Sequence, residues 1–562
     1  MNKILIIVEI FENNFKVRSF FHKTYKGIRK THGISRSGRK MAVFARKASG
    51  LSREASLFDA FLLGFLNNGL GVGIWSMHSW GLYTFPGGNM VIGSIIVLAL
   101  TAFGAALAWG ILGGSMPRSG GDYVYNSRII HPAVGVVTSY GKCFGSLCWS
   151  GLLAAWNASP GLVMVGSALG WPEEIVSFFA STAGIYLIGT LAMVLSFVIV
   201  LLGFKYYLWT QKICVAIGMI GVFVALILLS ITPSDVFISK WNAIATEYGS
   251  ATYQEMITLA EDAGYAPSTW NWASTLGLMP SISWAVSYGF VIGYIGGEVK
   301  RPERNILMAQ VLACLVPAIF CMWAGYVLDN NLGYKFMGAC AYVDNAGPEW
   351  YNMPFPPTYA NLAAILTDNY LAKFLITFNF VAFNYIWVPM TYVVFSRIMF
   401  AQAMDNIGPR WFTDIHPRFN SPLKLYTLFF ILGQIVLTLY ALAPEWLGGI
   451  AIGVFETMIM WGVVGISVML FPFVKKVRHI WDASPHRWPL VAVMSGIVSL
   501  IATGVLLWAY YTSPEMGIIN AIWTPIYIGV LISAVLWYYI WRLKRAREGI
   551  DVTLAFKELP PE

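Results

Sequence analysis

The sequence predicts an all-α polytopic membrane protein of twelve transmembrane helices, built as two inverted repeats of five helices (5+5) with helices 1 and 6 broken at mid-span. Three observations carry this. The chain of 562 residues is 57% hydrophobic and 12% charged, with a mean hydropathy of +0.63, where a soluble domain holds about 25% charged residues. Its apolar runs are near-continuous and reach the ~20 residues a helix needs to cross a bilayer, unlike the short alternating segments of a barrel. Two of the runs carry glycine clusters: "NNGLGVGIW" at 67–75, with three glycines, and "SYGFVIGYIGGE" at 287–298, with four.

The twelve spans fall at 57–80, 88–112, 124–168, 181–203, 205–231, 272–298, 307–330, 370–402, 424–443, 446–471, 488–511 and 518–542. Lys and Arg set the orientation. With the N-terminus inside, Arg118, Arg128, Lys300, Arg301, Arg304, Arg410, Arg418, Lys475, Lys476 and Arg542 to Arg547 all face the cytoplasm. The opposite loops carry Glu173, Glu174, Asp235, Glu261, Asp262, Asp344 and Glu349. Both termini are therefore expected in the cytoplasm, in a multi-pass protein of the cytoplasmic membrane. This asymmetry accounts for the net charge of +9 and implies no nucleic-acid partner, while the basic tail suits anionic membrane lipid.

The organisation that follows is a basic N-terminal tail at 1–52, a first repeat at 53–231, an extracytoplasmic loop at 232–270, a second repeat at 271–471, helices 11 and 12 at 472–542, and a cytoplasmic tail at 543–562. The opening "MNKILIIVEIFE" is too short to span and is followed by no small-residue cleavage site. Met41 is a second candidate start. Five of the six cysteines lie in or near spans, and Cys340 is read in an outer loop. Neither a disulfide framework nor a metal pattern results, and no cofactor is expected.

Glycine costs about 1 kcal/mol in a helix interior relative to alanine, so two clusters at mid-span call for a reason. Close packing of membrane helices is one. The other is paired unwinding: the break recurs after a period of five spans, in spans 1 and 6, and glycine-interrupted helices at matching places in two halves point to a transporter site. An unwound midpoint exposes backbone that hydrocarbon does not tolerate unless something binds it. The second half of span 1 is expected to begin near Val72, Gly73 and Ile74, where free N–H groups and the helix dipole attract a carboxylate. Carbonyls ending the first half near Asn68 and Gly69 suit an ammonium group, and those near Ser283 to Ser287 repeat the pattern in span 6. Such a site fits the zwitterion of an amino acid.

Four strings extend the pattern: "GVGIW" at 71–75, "MPRSGGDYVYNSRIIHP" at 116–132, "EVKRPERNI" at 298–306 and "SRIMFAQAMDNIGP" at 396–409. In this order and at these places the chain, from about residue 53 onward, resembles the amino acid–polyamine–organocation transporters, which have the leucine-transporter-like fold. The resemblance implies backbone contacts to substrate at Gly69, Gly71, Val72 and Gly73. It implies a stacking tryptophan at Trp284, and Ser287, Tyr288 and Phe290 in the second unwound stretch. It places Gly145, Ser146, Trp149, Ser150 and Leu153 on the span 3 wall, with Thr391 opposite on span 8. It also implies a monomer or homodimer. Where many proton-linked members carry a lysine in span 5, this sequence has Gly218.

Two charges inside spans call for an explanation, Lys142 in span 3 and Glu456 in span 10, since intramembrane ionisable groups are functional candidates. Lys142 either stands in for the missing lysine or snorkels to the interface. Glu456 binds a proton, recognises a cationic group, or makes a helix–helix hydrogen bond. The seven histidines are scattered without metal or nucleophile–base spacing, and "ILGGSMPRSGG" lacks a phosphate-loop lysine, so no enzyme is expected. The function expected is secondary transport of amino acids, neutral or aromatic, by proton-linked symport or exchange rather than sodium symport. The alternatives are a carrier of polyamines or other organic cations, or a transporter-like sensor.

Overall fold

The computed structural model describes residues 53–419, 421–443, 451–513 and 523–559. The basic tail at 1–52 and the expected starts of spans 10 and 12 lie outside the described residues. Among the described residues ten helices are long and apolar enough to cross a membrane, and the number reaches twelve when each of two sharply bent helix pairs is taken as one span. In order they are Leu57–Thr84, Met90–Ser115, Pro132–Leu169, Thr182–Leu202, Phe204–Ile231, the pair Trp272–Val286 and Tyr288–Tyr294, Pro302–Ala346, Tyr370–Met404, Leu423–Leu442, the pair Glu456–Leu470 and Lys475–Ala483, Pro489–Thr512 and Thr524–Arg547. These are spans 1 to 12 below.

The surface explains the composition. Leu187, Leu191, Leu195 and Leu202 on span 4 and Ile213, Ile220, Ile227 and Ile231 on span 5 are exposed. Burying such a side chain away from water gains about 1.5–3 kcal/mol, so only a hydrocarbon surrounding leaves whole stripes of them outside. This is a multi-pass membrane protein.

Two boundaries differ from expectation. Span 3 starts at Pro132 rather than 124, because His131 turns extended and caps the helix, its ring nitrogen accepting from Ala133 N–H. The residues before it form a separate, wholly buried helix, Asp122–Ile129. Span 7 does not stop at 330: it continues through a π-helical stretch, Leu328–Gly333, into Tyr334–Ala346. Cys340 is consequently not in a loop but buried on that extension.

Spans 1 and 6 are both interrupted. In span 1, Leu57–Asn67 ends at Asn68, Gly69 takes the left-handed conformation (φ 54°, ψ 62°), and helix resumes at Leu70–Ser76. In span 6, Met279–Val286 stops at Ser287 and the chain continues as tighter 3₁₀ turns over Tyr288–Tyr294, bent by 43°. The first half of span 1 packs on the 3₁₀ segment of span 6, and the second half of span 1 packs on the helical part of span 6. Span 3 crosses spans 8, 9, 10 and 12.

The sequence motifs meet each other. Arg128, from the string before span 3, pairs with Asp405 at the end of span 8 (2.6 Å), and Tyr123 donates to the same carboxylate at 2.9 Å. Arg397 on span 8 holds Glu298, which follows span 6, through two bonds of 2.8 Å. All four charged residues are buried. The Arg397–Glu298 pair is bidentate, and the pairing of each guanidinium with a carboxylate is what makes such burial tolerable, so these strings act as a clamp between segments far apart in the chain.

Candidate binding site

Between the broken spans and spans 3 and 8 lies a cavity of about 60 Å³. Its walls come from helix faces. Lys142, Ser146, Trp149 and Leu153 line it from span 3, and Trp387, Met390, Thr391 and Val394 line it from span 8. Both sets recur at three- and four-residue steps, the spacing that puts side chains on one helix face. Trp284, Tyr288 and Val291 enter from span 6, and Asn67 from span 1.

Aromatic rings close one side. Trp284 meets Trp149 edge-on at 5.4 Å and Trp80 at 5.2 Å, and leans on Trp156 at 5.8 Å. Trp387 closes another side: its indole N–H donates to the Asn67 carbonyl at 2.8 Å. That carbonyl is at the C-terminal end of the first half of span 1, where unpaired carbonyls were expected. The cavity has room for about four water-sized spheres.

The break backbone is already partnered across the two spans. Asn68 Oδ1 accepts from the Tyr288 N–H at 2.6 Å, and its Nδ2 donates to the Ala313 carbonyl at 2.5 Å. Asn67 Nδ2 donates to the Tyr288 carbonyl. The second half of span 1 begins at Leu70, earlier than expected. Gly73 N–H is bonded to the Gly69 carbonyl at 2.8 Å, so the first-turn donors are those of Leu70, Gly71 and Val72 instead of Val72, Gly73 and Ile74.

Several expected site residues face elsewhere. A Cβ on Gly71 would meet Asn379 Oδ1 at 2.0 Å, and one on Gly73 would meet the Ala285 Cβ at 2.4 Å; both glycines allow close helix packing. Val72 and Ile74 are fully buried and do not line the cavity. The Ser150 hydroxyl donates to the Leu147 carbonyl and lies against Gly433 of span 9. Ser287 shares a hydrogen bond of 2.7 Å with Thr101 of span 2. Phe290 packs on Trp109 at 5.2 Å and lies beneath the cavity wall.

The charged residues do meet. Lys142 is the one charged side chain lining the cavity. Its Nζ stands 3.8 Å from Glu456 Oε2, donates to Thr457 Oγ1 at 3.2 Å, and lies 5.1 Å from the centre of the Phe290 ring. The Lys142 side chain is buried against span 10.

The profile of the amino acid permease family matches residues 61–548. The chain belongs to the amino acid permease family. A comparison with curated proteins finds no match. For this permease, the span 5 position expected to carry a lysine is closed: a Cβ on Gly218 would lie 2.6 Å from the Phe383 ring. Asn67, Val291, Trp387, Met390 and Val394 line the permease cavity but were not anticipated. Stepping from Thr391 by three and four residues along span 8 reaches Trp387 and Val394, so part of that signal was present in the sequence.

Proposed function

We propose that this permease carries neutral amino acids, aromatic ones included, across the cytoplasmic membrane by alternating access, with both termini in the cytoplasm. The observation that carries this reading is the cavity lining: Trp149, Trp284, Trp387, Tyr288, Met390 and Leu153 supply its walls, and no carboxylate is among its lining residues. A polyamine or other organic cation would need an acidic partner there, and Glu456, which does not line the cavity, stands 3.8 Å from the Lys142 ammonium. The zwitterion's ammonium takes the Asn67 carbonyl after displacing the Trp387 indole, and the carboxylate takes the Lys142 ammonium, the cation that lines the cavity.

Energy comes from a proton or from exchange. Sodium needs several hard oxygen ligands; of two hydroxyls on span 8, Thr391 donates to the Val388 carbonyl at 2.6 Å, and Ser396 donates to the Val393 carbonyl at 3.0 Å while accepting from Arg397 at 3.2 Å. The test is uptake of a radiolabelled amino acid panel by purified protein in liposomes, with sodium or choline as bulk cation. Leucine and phenylalanine should enter and arginine and spermidine should not, with no response to sodium. Uptake of the cations, or dependence on sodium, sinks the reading, and binding without uptake turns it to a sensor.

A further inference from the structure

Behind the cavity wall, two carboxylates share one cation. Glu456 and Asp122 are both buried and both act electrostatically on Lys142. Glu456 Oε1 has no hydrogen-bond partner among the described residues, and its Oε2 is 3.8 Å from Lys142. Asp122 is better satisfied: Tyr294 donates to Oδ1 at 2.8 Å and Thr138 to Oδ2 at 2.6 Å. The groups facing Glu456 from its neighbours are Lys142 and Cys143 on span 3, Tyr288 and Tyr294 on span 6, Tyr527 on span 12 and Asp122. Lys142 is the only cation among them.

We propose that Glu456 is a proton site that sets the charge of the cavity wall through Lys142. With Glu456 ionised, its carboxylate cancels the Lys142 ammonium, and an entering carboxylate meets no net attraction. When a proton from water neutralises Glu456, Lys142 is left with two unused N–H donors and an uncompensated charge on the cavity surface. A substrate carboxylate and Glu456 thus compete for one ammonium, and binding of either a proton or the substrate favours binding of the other. Asp122 supplies a second acidic group in the same cluster, pushed up to about 6 by burial against the opposing pull of Thr138, Tyr294 and Lys142. This rests on the transport reading above, but it adds which group binds the proton and why substrate binding depends on it.

The experiment uses the full-length protein, with L-leucine and L-phenylalanine as substrate probes. Affinity should strengthen as pH falls, by up to about tenfold per pH unit for one linked proton. Glu456→Gln, which fixes the neutral form, should bind with an affinity that no longer follows pH and should not accumulate substrate under an inward proton gradient. Lys142→Met should weaken binding at every pH. The infrared band of protonated buried carboxylic acid, followed against pH without substrate, should lose one component in Glu456→Gln, and Glu456→Asp should restore a titrating band. Failure of the wild type to take up any amino acid would sink the transport reading while leaving the infrared titration to decide this one. A Glu456→Gln protein with wild-type pH dependence, or an infrared titration unchanged by it, would overturn the proton site.

Discussion

In span 1 the interruption is made by the chain's own residue. Gly69 adopts φ +54°, a conformation that costs a residue with a side chain about 1–2 kcal/mol, and the space where its Cβ would be is filled by the Trp387 ring at 2.1 Å. In span 6 no residue of the break, from Val286 through Tyr294, has a positive φ. Its backbone is held open from outside, by Asn67 and Asn68 bonding to the N–H and C=O of Tyr288. One break is therefore written into local conformation and the other depends on side chains from more than two hundred residues earlier. The difference matters for transport, because a break fixed by its own glycine acts as a hinge, whereas a break held by another span opens only as far as that span allows. If so, the two should fail differently when mutated.

The largest effect is expected at Gly69. Gly69→Ala adds the left-handed strain and drives a methyl group into the Trp387 ring, which together cost about 2–5 kcal/mol. Thermal unfolding in detergent should fall by several degrees and substrate binding should be lost. Trp387→Ala removes the clash and not the strain, so the double variant Gly69→Ala with Trp387→Ala should lose less stability than the two single losses added together. A Gly69→Ala protein as stable as wild type would mean that the span 1 break is not set locally.

Next comes Asn68→Leu. It removes one acceptor and one donor and leaves the Tyr288 N–H and the Ala313 carbonyl unpaired at membrane depth, each at about 1–3 kcal/mol. The measurement is again thermal unfolding, with labelling of a single engineered cysteine in the 288–294 segment to report its opening. An intact span 6 segment in Asn68→Leu would remove the dependence of that break on span 1.

These two positions also show where the sequence was legible. Hydropathy gave twelve runs because lipid selects whole apolar stripes, and the Gly69 break was legible because a left-handed residue at mid-helix leaves a glycine. Gly71 and Gly73 look the same in sequence but serve close approach to spans 8 and 6, and only the neighbouring atoms tell them apart. The family resemblance points to Ser150 and Ser287 as site residues, but along a helix each residue turns the side chain by about 100°. A displacement of one residue therefore carries a side chain from the cavity to a neighbouring helix. The role of Asn68 as a partner for Tyr288 had no local signal at all, since it is a contact between segments 220 residues apart.

Trp387 offers a smaller and opposite effect. Its indole N–H occupies the Asn67 carbonyl that the proposed substrate ammonium needs, so Trp387→Phe should free that carbonyl while keeping most of the ring over Gly69. Loss of one hydrogen bond is worth about 0.5–1.5 kcal/mol. Leucine binding should therefore tighten by several-fold, at a small cost in stability. Weakened binding in Trp387→Phe would make the indole N–H a direct partner of the substrate rather than its competitor.

The smallest effect is expected at the span 6 break itself. Ser287 lies between the helical and 3₁₀ segments, yet its hydroxyl points to Thr101 of span 2 and not into the cavity. Ser287→Ala removes one buried hydrogen bond and leaves the Thr101 hydroxyl with one partner fewer, a change of about 0.5–1.5 kcal/mol. Substrate affinity should be unchanged within twofold, about 0.4 kcal/mol by the usual conversion, because neither the Tyr288 backbone nor its asparagine partners are touched. Titration of leucine against the purified variant checks this directly. If Ser287→Ala instead disturbed binding and cysteine labelling as much as Asn68→Leu does, the break in span 6 would be set by its own residues after all, and the contrast between the two interrupted helices would disappear.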